Sequence, residues 1–195
     1  KTERKYNYET NNPSAVLLSD DGKTYFYSAD AKAIREYIPE SGKERTIVLN
    51  VENVKSIAKN AESGDELYYS SSEGLFAADP VSCTSECVCS VATEGERDLG
   101  KLWNPKGICV VGGKLWVVDA DNTDKENSIN AVQEFDLKSN EFTDFAITTN
   151  SKAVNRLTDK ASDIAICGDK IYALDGDRIV VINGADNAPD ERTYN

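Results

Sequence analysis

The 195-residue sequence contains no histidine. That single absence removes histidine-based triads, histidine zinc sites and histidine general acid–base catalysis. Methionine is absent too, even at position 1, and there is no signal-peptide apolar region. Residue 1 is therefore read as a processed start, with any membrane anchor outside the numbering. No stretch approaches the roughly 18 apolar residues of a membrane-spanning helix. There is no phosphate-binding glycine loop, no dinucleotide fingerprint and no Gly-x-Ser-x-Gly elbow. The one Asn-x-Ser sequence, Asn12-Pro13-Ser14, is excluded as a glycosylation acceptor by its proline. Basic clusters are missing as well. Lys and Arg number 22 against 34 Asp and Glu, for a net charge of −12. Phosphate is repelled by such a chain, so nucleic acid and anionic lipid surfaces are poor partners, whereas a cationic partner is steered toward it.

Cysteine is scarce but clustered. Cys83, Cys87 and Cys89 fall in CTSECVC, read as a short polar loop, and Cys109 and Cys167 sit in apolar patterns. Clustered exposed thiols are a liability in an oxidising compartment unless paired, so one or two disulfides are expected among these five. Reduced core cysteines remain the alternative for Cys109 and Cys167. A zinc site would have to take four of the five and is not expected.

What the sequence does have is a repeated hairpin. At 107–119, GICVVGGKLWVVD reads as an apolar run, a Gly-Gly turn and an apolar-aromatic run ending in Asp. Both turn positions tolerate positive φ because glycine has no Cβ. Weaker copies occur as AVLL-SDDGK-TYFYS, as VKSIA followed by ELYYS, and as IAIC-GD-KIYALD. Each is followed by a third strand (33–38, 75–78, 131–137, 178–183), and fourth strands are expected at 45–49, 88–92 and 142–147. Tyr25, Tyr68, Trp116 and Tyr172 align, spaced by 43, 48 and 56 residues. The larger spacings contain visible insertions. Four-stranded units at a period in the forties are the signature of propeller blades. The fold class is thus all-β and propeller-like, with four antiparallel meanders, as a small closed ring, as two lobes, or as part of a larger ring in the chain or across an oligomer. A two-lobe division would place two blades in 1–95 and two in 96–195. The last copy lacks an evident fourth strand. The alternating segment 5–9 is expected to supply it, with Tyr6 and Tyr8 beside 179–182.

The third copy, WNPKGICVVGGKLWVVDADN with AVQEFDL, resembles the repeat of NHL-type six-bladed propellers over about 35 residues. More broadly, the hairpins YFYS, LYYS, LWVVD and IYALD, the CTSECVC segment and the absent start methionine make the chain similar to the ectodomain of the insect-stage, procyclic-specific surface antigens of kinetoplastid parasites. That resemblance implies a bilobed ectodomain on the extracellular side of the plasma membrane, anchored by a segment outside this sequence, with a cleft between lobes as the partner site. It supplies no catalytic residues.

The candidate sites are few. The acidic stretch 119–127 could gather carboxylates around Ca²⁺, but in EF-hand spelling its sixth position is Asp124 rather than Gly and its twelfth Asn130 rather than Glu, so it reads as a solvated loop and no metal is expected. The four aligned aromatics read as core. Trp103 lies where the chain crosses between blades and is the candidate partner-binding residue. The expectation is a non-enzymatic extracellular module without a cofactor, binding a protein or peptide in a cleft between blades or lobes. A metal-dependent propeller hydrolase and an intracellular propeller scaffold are the alternatives.

Overall fold

The computed structural model describes residues 13–60, 64–93, 99–120, 130–148, 157–183 and 189–194, with 147–148, 183 and 189–194 as backbone. The described residues form sixteen strands in four sheets of four. Blade 1 is β1 (Pro13–Leu18), β2 (Thr24–Ser28), β3 (Ala33–Ile38) and β4 (Lys43–Leu49). Blade 2 is β5 (Ser56–Lys59), β6 (Leu67–Ser71), β7 (Gly74–Asp79) and β8 (Thr84–Ser90). Blade 3 is β9 (Pro105–Val111), β10 (Lys114–Ala120), β11 (Asn130–Asp136) and β12 (Glu141–Thr148), and blade 4 is β13 (Ala161–Cys167), β14 (Lys170–Asp175), β15 (Arg178–Asn183) and β16 (Pro189–Tyr194). Every sheet is a plain antiparallel meander in chain order, so the protein is an all-β four-bladed propeller. The first strands β1, β5, β9 and β13 adjoin in succession.

Alternation along the strands decides which blade each residue touches, because successive side chains point to opposite faces. The aligned aromatics Tyr25, Tyr68 and Trp116 point forward, toward the next blade. Their neighbours Leu67 and Tyr69, Leu115 and Val117, and Ile171 and Ala173 point back, toward the preceding one. Three clusters result. Tyr25, Tyr27 and Ile34 of blade 1 meet Ile57, Leu67 and Tyr69 of blade 2. Ala58, Tyr68 and Leu75 of blade 2 meet Ile108, Leu115 and Val117 of blade 3. Trp116, Val118 and Val132 of blade 3 meet Ile164, Ile171 and Ala173 of blade 4. Trp116 also stacks edge-on against Phe145 at 4.8 Å. The second cluster spans the junction at 95/96, so the expected two-lobe boundary falls across a core of the same kind as the other two. Among the described residues, no cluster joins blade 4 back to blade 1.

Two expectations are corrected. The place beside β15 is filled by β16, with Ile179 opposite Tyr194, Val180 opposite Thr193 and Ile182 opposite Pro189. The expected donor, 5–9, lies outside the described residues. PDERTY carries no apolar alternation, which is why this edge strand does not stand out in the sequence. Likewise, CTSECVC is no loop. Only Cys83, with a φ of 57°, belongs to the turn, and Thr84–Ser90 form the outer strand of blade 2, where polar residues suit a solvated edge.

The inner strands approach closely at one point. A Cβ on Gly107 in β9 would lie 2.3 Å from the Cα of Asp163 in β13. Gly107→Ala should therefore wedge blades 3 and 4 apart and lower stability by roughly 2 kcal/mol. Gly112→Asn, in the open hairpin turn at φ 61°, should stay within roughly 0.5 kcal/mol of the parent in urea melts. Equal losses at both positions would contradict the close packing.

Candidate partner-binding cleft

Antiparallel order puts the turns joining first to second strands on one edge of every blade, here the lower edge. The second-to-third turns and the inter-blade linkers lie on the upper edge. Between blades 1 and 2 the lower edge opens into a cleft of about 350 Å³, lined by Leu17, Leu18, Ser19, Asp20, Asp21, Lys59 and Gly64. Ligand pockets start at about this size. The β1–β2 turn is closed by the Ser19 amide donating to the Lys23 carbonyl at 2.9 Å and the Gly22 amide donating to the Ser19 carbonyl at 2.9 Å. This holds Asp20 and Asp21 out toward solvent.

A chain of charges runs inward from the rim. Lys59, the last residue of β5, crosses the blade junction. It donates to Ser19 Oγ at 3.2 Å and to Asp65 Oδ1 at 3.1 Å, and lies 3.6 Å from Asp21 Oδ2. Asp21 pairs with Lys23 at 3.2 Å, and Lys23 lies 3.6 Å from Glu36. Glu36 is fully buried. It accepts from Tyr25 Oη at 3.1 Å and from Arg45 Nε. Burial pushes the Glu36 carboxyl up, but Arg45, Tyr25 and Lys23 outweigh it and hold it below the usual range. Burial likewise opposes ionisation of Asp21, yet Lys23, Ser19 and Lys59 bring it down to about 2. A second hollow, with Glu66, Ala77, Asp79 and Glu86 in its lining, lies on the other face of blade 2, the one turned toward blade 3. At the cleft, Asp21 is shared by Lys23 and Lys59 and Lys59 also pairs with Asp65, which leaves Asp20 as the exposed carboxylate of the lining.

The sequence-predicted residues are elsewhere. Trp103 is half-buried on the upper edge, at the crossing from blade 2 into blade 3, and lines no part of the cleft. Its amide donates to Asp119 Oδ2 at 2.9 Å, and the next amide, Asn104, donates to Asp119 Oδ1 at 2.6 Å. Gln133 Nε2 donates to the Lys101 carbonyl at 2.9 Å and to Asp119 at 3.3 Å, fixing the rest of the linker. Asp119 is thus a buried structural acceptor on β10, not the start of an open acidic loop. Residues 121–127 lie outside the described residues.

All five cysteines, Cys83, Cys87, Cys89, Cys109 and Cys167, are unpaired, which corrects the disulfide expectation. Cys87 and Cys89 are two residues apart on one extended strand, a spacing of roughly 6–7 Å, where a disulfide needs Cβ atoms about 4 Å apart. The other three lie in a turn of blade 2, in blade 3 and in blade 4. Burial pushes the Cys109 thiol up to about 12, with the charge of Asp163 adding to it, as suits an inert core thiol.

No protein-family model matches the chain, and no curated protein matches it. Solved structures do. Virginiamycin B lyase from Staphylococcus aureus, in a catalytically inactive form with Quinupristin, aligns with a TM-score of 0.62 at 14% identity, over 91% of this chain and 54% of that one. A streptogramin B lyase structure aligns with a TM-score of 0.62 at 12% identity, over 97% and 57%. A nidogen/laminin complex aligns with a TM-score of 0.57 at 12% identity, over 93% and 79%. The chain therefore spans little more than half the length of the lyases it matches. At this identity the likeness is one of fold, and it places the protein among the propellers. It also corrects the expectation that the protein is no enzyme. The two lyases it matches are enzymes, and the missing histidine excludes only mechanisms that use histidine.

Two measurements test the charge chain. Arg45→Leu leaves Glu36 buried with its remaining partners and should cost roughly 3 kcal/mol, while Glu36→Leu/Arg45→Leu should recover most of that loss. Stability should also fall with acid. Asp136, held by Lys114 and the amides of Ser139 and Lys138, and Asp21 both sit at about 2 against an ordinary 3.8. Depressed carboxyls favour the folded state fully above 3.8, and that contribution is lost as pH falls through 3.8 to about 2. Melting temperature should drop across this window, and less steeply in Asp21→Asn. An identical slope in the variant would refute the assignment.

Proposed function

We propose that the protein is a partner-binding propeller whose cleft between blades 1 and 2 takes a basic, partly apolar peptide segment of another protein. The observation that supports this most directly is the cleft itself, where Leu17 and Leu18 lie beside Asp20 and Asp21. A net charge of −12 draws cations to this rim. Turns on a rigid sheet scaffold are where propellers can vary such contacts without disturbing the core. Trp103, on the opposite edge, is proposed as a separate contact for the same class of partner.

The proposed location is the extracellular side of the plasma membrane, as the resemblance to the kinetoplastid surface antigens implies. With every cysteine unpaired, that location no longer has a disulfide argument behind it. The same observation favours a second reading, an intracellular propeller scaffold. Counting free thiols in protein from its native source, under denaturing and non-reducing conditions, separates them. Five free thiols contradict the extracellular location, and fewer contradict the intracellular one.

Binding is tested with a fluorescein-labelled peptide of alternating lysine and leucine, read by anisotropy. Saturable binding should weaken as salt rises. Asp20→Asn and Asp21→Asn should each weaken it by roughly 5-fold, with Glu141→Gln on blade 3 as an unaffected control. Absence of saturable binding, or equal binding by all three variants, would end this reading of the cleft.

A further inference from the structure

We infer that the cleft between blades 1 and 2 holds a seat for a primary ammonium, which Lys59 fills in the free protein and a lysine of the partner takes over on binding. This rests on the cleft being the partner site. Lys59 departs from the repeat. Strand register matches it to Leu18 of blade 1, Val110 of blade 3 and Ile166 of blade 4, since each lies opposite the residue that precedes the aligned aromatic. Val110 and Ile166 pack on the core shared with the preceding blade. An aliphatic residue at 59 would pack on blade 1 in the same way. Blade 2 instead puts a charge where the repeat puts apolar packing, so packing does not account for the lysine.

The surroundings of the Lys59 nitrogen do account for it. Nζ donates to Ser19 Oγ at 3.2 Å and to Asp65 Oδ1 at 3.1 Å, and lies 3.6 Å from Asp21 Oδ2. Ser19 is itself only 7% exposed. Three acceptors from two blades around one nitrogen suit the three donors of an ammonium, whereas a guanidinium is a planar fork that favours acceptors paired in its own plane. The side chain of Lys59 is 16% exposed, against 36% for Asp21 and 52% for Asp65, so the seat opens to solvent on its aspartate side. Asp20, exposed at the mouth, is the first contact for an incoming lysine, and the seat is the second. The exchange replaces one ammonium by another and leaves no carboxylate of the seat unpaired, while Lys59 swings into water on its flexible four-carbon stem. Lys59 is thus an internal competitor that sets both the affinity of the cleft and its preference for lysine over arginine.

Lys59→Ile tests this, because it removes the internal ammonium and restores the residue type of the repeat, with circular dichroism as the folding control. Lys59→Gln, nearer to lysine in shape, should give the same pattern. Binding is read by anisotropy with two fluorescein-labelled peptides, one alternating lysine and leucine, the other arginine and leucine. The lysine peptide should bind either variant roughly 10-fold more tightly than the parent, and the arginine peptide no more than roughly 2-fold. Lys43→Gln removes the same charge from the lower edge outside the cleft lining and should leave both affinities unchanged. Equal tightening of the two peptides would reduce the effect to net charge and overturn the inference, as would an unchanged lysine-peptide affinity in both Lys59 variants. Absence of saturable binding by parent and variants alike ends the cleft as a site and the seat with it. Binding by the parent that depends on Asp20 but is indifferent to Lys59 ends the seat alone.

Discussion

The structure depends on one repeated contact, a forward aromatic or branched residue on the second strand of a blade pressed against the rear face of the next. Tyr25, Tyr68 and Trp116 make this contact. A four-stranded meander has two faces and cannot bury either alone, so each blade is stable only through its neighbours. Exposure of single side chains follows from position in the stack. Trp116 is buried and the equivalent Tyr172 is only half-buried, although both occupy the same register. Blade 4 packs on Trp116, whereas among the described residues no core cluster lies ahead of Tyr172.

Once blades are fixed by that contact, their edges are free to diverge, and the cleft is a product of this freedom. Blades 1 and 2 meet at the lower edge with a longer turn in each, and both turns carry charge. Lys59 reaches across to Ser19 and Asp21, tying the rims while leaving Asp20 exposed. Beneath, the buried Glu36 is satisfied by Tyr25, Lys23 and Arg45. A buried charge is tolerated only with partners of this kind. The corresponding hairpin in blade 3 turns through Gly112 and Gly113, which bring no side chain to that edge. Fold and site are therefore set by different residues, in keeping with a likeness that extends at 12–15% identity to lyases and to a nidogen/laminin complex.

Much of the fold was legible because the hairpins announce themselves by alternation. The bounds 24–28, 33–38, 170–175 and 178–183 follow from the residues alone, and so does the core role of Trp116. What was illegible has physical causes. Outer strands such as β8 and β16 are solvated on their edge, so TSECVCS and PDERTY carry polar residues and read as loops. The cysteines suggested pairing because sequence proximity in a loop permits it, whereas an extended strand forbids it. The cleft was missed because its parts lie 40 residues apart, from Ser19 to Lys59. The only signal was charge recurring in the equivalent turns of successive blades, Asp20, Asp21 and Lys23 in one and Asp65 and Glu66 in the next. Trp103 drew attention as an isolated aromatic, but aromatic character alone does not say which edge of a blade a residue occupies.

The position ending the second strand shows how one site in the repeat solves two problems. It is occupied by Ser28, Ser71, Asp119 and Asp175, all buried. The serines accept from amides two or three residues ahead, Ala31 and Glu73, and so stabilise only the local turn. The aspartates act backward instead. Asp119 accepts from the amides of Trp103 and Asn104, and Asp175 accepts from Thr158 and pairs with Arg178. Blades 3 and 4 follow the longest insertions in the chain, and a long linker has more freedom to lose on ordering. A carboxylate, with two oxygens, can bind the linker at two points where a hydroxyl cannot. The short linker into blade 2 needs no such anchor, because the Lys55 amide already bonds the Ser70 carbonyl at 2.9 Å. Asp therefore replaces Ser at this position where the incoming chain is long, and Asp119, the first carboxylate of the stretch that could be taken for a metal loop in the sequence, serves to seat the linker on its own blade.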